Sequence, residues 1–234
     1  MNIKFLKFQN PPPTSESGYT ILEGIMAILM VTVMLTLVGP VIAFSVGTRV
    51  QAKRIELASQ AAKTYVDSLR AGSLPPPVDN GTLYKDKLKK VLPPNSGQAN
   101  GGDLDCNPET NVQGFCNKTN TLYCVSFDGN NTCSNESLVD MVVQGQACYP
   151  KDTTDNTNNG YHLLVRVYRA NAFGKLTGTD GFKEGKSDSS VTNALGDPSK
   201  PLTTFTTYIV PDADSAFNSF LASADDTKSE CLKE

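Results

Sequence analysis

The sequence predicts an α+β fold in which one long N-terminal helix, half of it transmembrane, packs on an antiparallel four-stranded sheet. Three observations carry this prediction. A largely apolar run occupies residues 17–54, four alternating runs lie in the second half of the chain, and all six cysteines lie from Cys106 onward. The chain therefore divides into a leader (1–18), a membrane half-helix (19–48) and a globular domain (49–234).

Residues 1–18 have the composition of a processing tag. Lys4 and Lys7 make the segment basic, and three consecutive prolines at positions 11–13 lack the backbone donors that a helix needs. We expect an extended leader that stays accessible on the cytoplasmic side of a membrane.

The apolar segment that follows is long enough to cross a membrane. No charged residue occurs from Gly24 to Thr48, and about 25 helical residues cross a hydrocarbon core of roughly 30 Å. Glu23 is the exception, because a carboxylate at the centre of a bilayer costs roughly 2.5–3.5 kcal/mol unless it has a partner. Pro40 follows Gly39, and its missing backbone donor predicts a kink or local melting.

Two alternative roles for this segment stay open from the sequence. The first is an uncleaved signal anchor whose Glu23 side chain reaches toward the lipid headgroups. The second is a conventional signal peptide that is cut after the run Ala43-Phe44-Ser45, although such peptides usually have an apolar region of about 7–15 residues, which is shorter than the run seen here.

Beyond the membrane segment, the helix is predicted to continue to about Arg70. Apolar residues recur on one face with the helical period, which indicates a face that covers a sheet, at Ala58, Ala61, Ala62, Tyr65, Val66 and Leu69. Charged residues such as Lys53, Glu56 and Lys63 form a solvated face. Gly72 and the prolines at positions 75–77 predict the end of the helix.

Alternating apolar residues predict four strands, over residues 122–127, 138–149, 161–170 and 203–210. Turn-rich stretches between them favour hairpins and therefore an antiparallel meander. A short amphipathic helix is predicted over 82–92. Its four lysines suit a polyanion such as an acidic exopolysaccharide, although a solvated lysine face is commoner. Residues 171–201 are predicted to form a surface loop.

The cysteines indicate the compartment of the globular domain. Basic residues flank the membrane segment on both sides, so the positive-inside rule does not orient it. An even set of cysteines in one region favours an oxidising compartment, and we expect disulfides among Cys106, Cys116, Cys124, Cys133, Cys148 and Cys231. Six cysteines allow 15 pairings, and we expect only that Cys231 ties the C-terminal tail back to the sheet. No C-x-x-C pair occurs, which argues against zinc.

Composition excludes several classes of function. The chain has 21 Lys and Arg residues against 24 Asp and Glu residues and no tryptophan, so we expect no nucleic-acid partner. One histidine and the absence of a phosphate loop or nucleophile elbow argue against an enzyme or a bound cofactor. Carboxylates at Asp128, Asp180 and Asp188, with Asn130, offer oxygen ligands for calcium but miss the EF-hand spacing.

The run Gly18-Tyr19-Thr20-Ile21-Leu22-Glu23 resembles the prepilin peptidase signature of type IV pilins and pseudopilins. The resemblance implies cleavage after Gly18, N-methylation of Tyr19, and pairing of Glu23 with the terminal amine of a neighbouring subunit. It also implies a helix-loosening role for Pro40 and a pilin-like roll for the fold. The continuation over residues 48–72 further resembles the B-type hormogonium polysaccharide secretion pseudopilins of cyanobacteria.

The resemblance implies a structural protein. We expect a minor pilin or pseudopilin that assembles with other pilins into a filament for polysaccharide secretion and gliding motility, after processing by a prepilin peptidase. It would be a single-pass inner-membrane protein with its C-terminal domain in the periplasm or outside the cell. The alternative is an adhesive or DNA-uptake minor pilin that binds a ligand through its disulfide-rich domain.

Overall fold

The computed structural model describes residues 20–77, 88, 93–94, 104, 106, 114–116, 121–129, 132–148, 160–173, 176, 181–183, 196–210 and 231. The leader and, apart from Leu88, the helix predicted over 82–92 lie outside these residues. The chain divides into two compact units, residues 1–45 and residues 46–234. The first helix, α1 (Ile21–Arg70), contributes residues to both units.

Helix α1 contains 50 residues, and its bounds match the prediction. Pro40 lies inside it, and helical residues continue on both sides of the proline. The helix is therefore not melted at Pro40, and the kink that was the other predicted outcome stays a prediction. A proline removes one backbone hydrogen bond, and the apolar residues around Pro40 continue the helix across that single loss.

The C-terminal end of α1 closes with a Schellman motif. The amide of Gly72 donates to the carbonyl of Leu69 at 3.1 Å, and the amide of Ser73 donates to the carbonyl of Ser68 at 2.9 Å. Gly72 has a positive φ of 69°, which glycine adopts at little cost. The glycine stop predicted from the sequence is confirmed.

Four strands form one antiparallel sheet in the order β1-β2-β3-β4. They are β1 (Leu122–Val125), β2 (Met141–Cys148), β3 (Tyr161–Arg169) and β4 (Thr203–Ile209). The predicted meander and the α+β class are therefore confirmed. Each strand ends earlier than predicted. β2 also begins three residues later, because the residues before it form a turn in which the amide of Ser137 donates to the carbonyl of Ser134 and the amide of Asp140 donates to the hydroxyl of Ser137.

The second half of α1 packs on one face of this sheet. The predicted apolar stripe from Ala58 to Leu69 is buried at each of its six positions. Strands β2 and β3 supply the opposing surface with alternate residues, including Met141, Val143, Leu163, Val165 and Val167. This layer is the main core of the globular unit.

The opposite face of the sheet is also buried, which the sequence did not predict. Every residue of β2 and β3 is buried. One end of this face is covered by a short helix, α2 (Ala170–Phe173), and by Leu176 and Phe182. The prediction of a surface loop over 171–201 is therefore wrong for these residues, because the apolar side chains of Phe173 and Phe182 pack on each other and on the sheet.

The outer edge of β1 is partly covered by residues 114–116. Phe115 forms an isolated antiparallel bridge with Tyr123. The amide of Cys116 donates to the carbonyl of Leu122 at 2.8 Å, and the amide of Cys124 donates to the carbonyl of Gly114 at 2.7 Å. Cys116 and Cys124, which belong to two different disulfides, thus lie at this edge of the sheet.

Candidate assembly site and disulfide frame

The first half of α1 is long and apolar enough to cross a membrane. Its most apolar stretch has no residue buried within the chain, and large apolar side chains from Ile21 to Val46 are more than half exposed. A core helix of a soluble domain would bury such side chains. This half of the helix is therefore an apolar surface that needs lipid or other chains around it, as in a single-pass membrane protein.

Glu23 lies in the first turn of α1, on the exposed surface. Its amide donates to the Thr20 hydroxyl oxygen Oγ1 at 3.4 Å, which places Thr20 at the N-cap and Glu23 at the third helical position. A carboxylate there also interacts favourably with the helix dipole, by about 0.3–1 kcal/mol. This benefit is smaller than the cost of a charge at mid-bilayer, so the cap does not by itself account for Glu23 in a membrane segment.

Gly18 and Tyr19, the residues of the predicted cleavage site, lie outside the described residues. The described helix begins at Ile21, two residues beyond Tyr19. If cleavage occurs after Gly18, the new amine lies four residues before Glu23 in the sequence.

The threonines of the membrane half satisfy their hydroxyls inside the helix. Thr32 donates to the carbonyl of Ile28, and Thr36 donates to the carbonyls of Thr32 at 3.0 Å and Val33 at 2.8 Å. Pro40 has no amide to donate to the carbonyl of Thr36, its usual helical acceptor. The helix thus lacks one backbone bond at Pro40 and nevertheless stays continuous.

The polar side of the second half of α1 is solvated, as predicted. Lys53, Glu56 and Lys63 are exposed. Lys53 Nζ lies 3.0 Å from Glu56 Oε2, and both side chains are more than half exposed. An exposed ion pair of this kind contributes little to stability, as expected of a solvated face.

All six cysteines form disulfides, as the sequence predicts for an oxidising compartment. The pairs are Cys106–Cys116, Cys124–Cys133 and Cys148–Cys231. The last one ties the C-terminal tail to the end of β2, so the predicted link of Cys231 to the sheet is confirmed. The Sγ atoms of Cys106, Cys124 and Cys133 lie within 4.8 Å of one another. Because a metal needs thiolate sulfur and these atoms are bonded in disulfides, this closeness is not a metal centre.

A buried carboxylate, not predicted from the sequence, organises the connection between β1 and β2. Asp140 is 1% exposed. Its Oδ1 accepts from the amide of Phe127 at 3.1 Å, and its Oδ2 accepts from the amide of Ser134 at 3.4 Å. Asp140 is thus a structural acceptor for backbone amides. The sequence feature that could have indicated this role is an aspartate directly before an apolar strand.

Among the candidate calcium ligands, the structure describes only Asp128. Its Oδ1 accepts from the hydroxyl of Ser126 at 2.8 Å. Asn130, Asp180 and Asp188 lie outside the described residues. A calcium site at these positions therefore stays a prediction.

Tyr65 of α1 approaches Gly145 of β2 closely, a contact that no sequence pattern predicts. A Cβ atom on Gly145 would overlap the Tyr65 hydroxyl oxygen and would lie 2.8 Å from Cζ of that ring. Tyr65 is fully buried, and its hydroxyl has no hydrogen-bond partner in the described part of the chain. Burial, with smaller contributions from Tyr161 and Tyr123, raises the pKa of the Tyr65 phenol far above its ordinary value.

The globular unit contains the chain's only histidine, His162, near the start of β3. Its ring packs edge-to-face on Tyr208 at 5.0 Å between centroids, and it lies opposite Cys148 in the register. Burial lowers the pKa of His162 below its ordinary value. This buried histidine fits a packing role.

Comparisons with protein-family models, with curated proteins and with solved structures each found no match.

Proposed function

We propose that this chain is a minor pilin or pseudopilin, a structural subunit that a prepilin peptidase cleaves after Gly18 and that assembles with other pilins through α1. The supporting observation is one continuous helix with two different surfaces. Its first half exposes apolar side chains and one carboxylate, and its second half is the buried spine of a disulfide-bonded sheet domain.

The role proposed for Glu23 follows from the energetic cost of a charged side chain in an apolar environment. An isolated carboxylate in an apolar bundle is costly, and an ammonium brought beside it removes the desolvation problem of both groups. A cleaved chain carries such an ammonium on Tyr19. A neighbouring subunit supplies it, so that assembly pairs the two charges in a defined register.

The proposed location is the inner membrane, with the globular unit in the periplasm or outside the cell. Three disulfides support an oxidising compartment for that unit. We further propose polysaccharide secretion and gliding motility as the process that the filament serves. This narrower assignment depends on the sequence resemblance of residues 48–72 alone.

The first test is the N-terminus of the protein purified from membranes of cells that contain a prepilin peptidase. Intact-mass measurement should give a chain that begins at Tyr19 and carries one methyl group. A chain that begins at Met1 would support the signal anchor, and one that begins at Val46 would support the signal peptide. Either result would overturn the proposal.

The second test separates pairing from helix capping at Glu23. Glu23→Gln keeps a polar residue at the third helical position but removes the charge, and Glu23→Leu also lowers the cost of insertion. Both variants should be inserted and cleaved normally, yet cross-linked multimers and exported polysaccharide should be lost. The matched control is Glu56→Gln, which removes an exposed acid from the same helix and should assemble normally.

Persistence of multimers and of export at wild-type levels in Glu23→Leu would show that this carboxylate is a tolerated charge. If multimers depend on Glu23 but DNA uptake or adhesion is lost in place of polysaccharide export, the subunit role stands. The process would then be that of the alternative minor pilin.

A further inference from the structure

The three disulfides pair the cysteines in the order in which they occur along the chain. The first cysteine is bonded to the second, the third to the fourth, and the fifth to the sixth. Of the 15 pairings open to six cysteines, this is the only one that joins consecutive cysteines throughout. No disulfide loop encloses another cysteine.

Proximity in the folded chain does not by itself distinguish native from non-native partners among Cys106, Cys124 and Cys133. The Sγ atoms of Cys106, Cys124 and Cys133 all lie within 4.8 Å of one another. They belong to two different disulfides inside one buried cluster. A thiolate left at any of these sites would have a sulfur of the other pair within reach, so non-native bonds such as Cys106–Cys124 compete on distance alone.

We infer that the native pairing is set by chain order, by a thiol oxidase that acts as the chain enters the oxidising compartment, and that no disulfide isomerase is needed. In each step the two thiols of consecutive cysteines lose two electrons and two protons and form one disulfide. The oxidase's own disulfide accepts them and becomes a dithiol. The inference depends on the proposed extracytoplasmic location but not on filament assembly.

The last pair differs from the first two, because Cys231 follows Cys148 by 83 residues. The thiol of Cys148 therefore stays reduced until the C-terminal part of the chain has entered the compartment. The sheet protects the waiting thiol. Cys124 lies opposite Val142 in the register, and Cys148 is six residues further along β2, which is roughly 20 Å at the rise of a strand. Cys148 is therefore out of reach of the Cys124–Cys133 disulfide once β1 and β2 have paired.

The arrival of Cys231 is assisted by packing. Cys231 is buried with Leu88, Leu164 and Cys148 in a small apolar cluster at that end of the sheet. Burial of these side chains brings the last two sulfur atoms together without any exchange step.

The test is expression of the full chain in three bacterial backgrounds: wild type, without the periplasmic thiol oxidase, and without the disulfide isomerase. Free thiols are trapped with a maleimide reagent in intact cells, and the bonds are mapped by mass spectrometry of unreduced peptides. We expect the same three bonds, within twofold in yield, in the wild type and without isomerase. Without oxidase, the yield should fall at least fivefold.

A variant in which chain order gives the wrong bond makes the test sharper. In Cys116→Ser, the next cysteine after Cys106 in the sequence is Cys124. Without isomerase we therefore expect Cys106–Cys124 as the main disulfide. With isomerase, the native Cys124–Cys133 bond should recover. The matched control, Cys106→Ser with Cys116→Ser, restores consecutive order and should form its two remaining bonds without isomerase.

Two results would overturn the inference. One is mispaired wild-type chain in cells that lack the isomerase. The other is native Cys124–Cys133 in Cys116→Ser at equal yield with and without isomerase, because the fold would then select the pairs. If all six cysteines are reduced in wild-type cells, the proposed location fails as well, which separates that failure from mispairing in an oxidising compartment.

Discussion

The contact between Tyr65 and Gly145 makes a quantitative prediction about how α1 is held on the sheet. Replacing Gly145 with alanine adds a Cβ atom that overlaps the hydroxyl oxygen of Tyr65 and lies 2.8 Å from its Cζ and 2.9 Å from its Cε1. The aromatic ring is rigid and fully buried, and it lies 5.4 Å from the ring of Tyr123. It therefore cannot turn away, and either the helix or β2 must shift.

The expected magnitude comes from two opposing effects. Overpacking of a core costs about 1–3 kcal/mol. Alanine in a strand recovers about 0.5–1 kcal/mol of the backbone entropy that glycine loses on folding. We expect Gly145→Ala to lower the free energy of unfolding by about 1–2 kcal/mol. For a unit of this size each kcal/mol shifts Tm by about 2–4 °C, so Tm should fall by about 2–8 °C.

Tyr65→Phe should behave differently, because it removes a buried hydroxyl that has no hydrogen-bond partner among the described residues. We expect stability equal to or above that of the wild type. In the Gly145→Ala background, the same change removes the overlap with the hydroxyl oxygen and leaves the 2.8 Å contact with Cζ. The double variant should therefore recover part, but not all, of the lost stability.

The assay is thermal unfolding of the full chain in detergent, followed by far-UV circular dichroism, for the wild type, both single variants and the double variant. A double-mutant cycle then isolates the coupling between the two positions. The reasoning would be refuted if Gly145→Ala were as stable as the wild type, or if the coupling free energy between the two positions were near zero. Either result would mean that Tyr65 and Gly145 are not in close contact.

Three other outcomes can be measured on the same preparation. Replacing Cys148 and Cys231 with serine opens a loop with a sequence separation of 83 residues. From the loop-entropy relation we expect the free energy of unfolding to fall by roughly 4–5 kcal/mol, which denaturant titration would measure. Asp140→Ala should lower the free energy of unfolding by about 1.5–3 kcal/mol, because the partly buried backbone amide of Phe127 loses its carboxylate acceptor; an unchanged free energy of unfolding would contradict the structural role of Asp140. His162 has a folded pKa below its unfolded value of 6.5, so the unfolded chain binds the proton first. This contribution to stability is complete above pH 6.5 and is lost as the pH falls, by at most about 1.4 kcal/mol per pH unit. His162→Gln should remove this part of the pH dependence of the free energy of unfolding. An identical pH dependence in the variant and the wild type would contradict the role given to His162.

Much of this fold could be predicted because its signals are local. The length of α1, its apolar first half and the stripe from Ala58 to Leu69 are periodicities within one segment, and Gly72 marks the helix end by its own backbone freedom. The four strands and their meander order also follow from alternation and short turns. The isolated carboxylate at Glu23 stands out in the sequence for the same reason.

Other features are contacts between distant parts of the chain. Each cysteine was visible, but spacing left 15 pairings open, and the structure identifies Cys148 as the partner of Cys231. The burial of Phe173 and Phe182 on the second face of the sheet was missed because their segment is rich in glycine and polar residues, which local patterns assign to a loop. Gly145 is an ordinary strand residue by local pattern, and only the packing of Tyr65 above it gives it a role.

The sequence by itself thus determined which segments form helix and strands, and that one helix is apolar enough for a membrane. Only the tertiary structure decided that both faces of β2 and β3 are buried, which backbone amides Asp140 accepts from, and that Tyr65 packs against Gly145. The physical reason is range. Backbone preference and hydrophobic period act over a few residues, whereas burial and close packing depend on residues that approach each other only after folding.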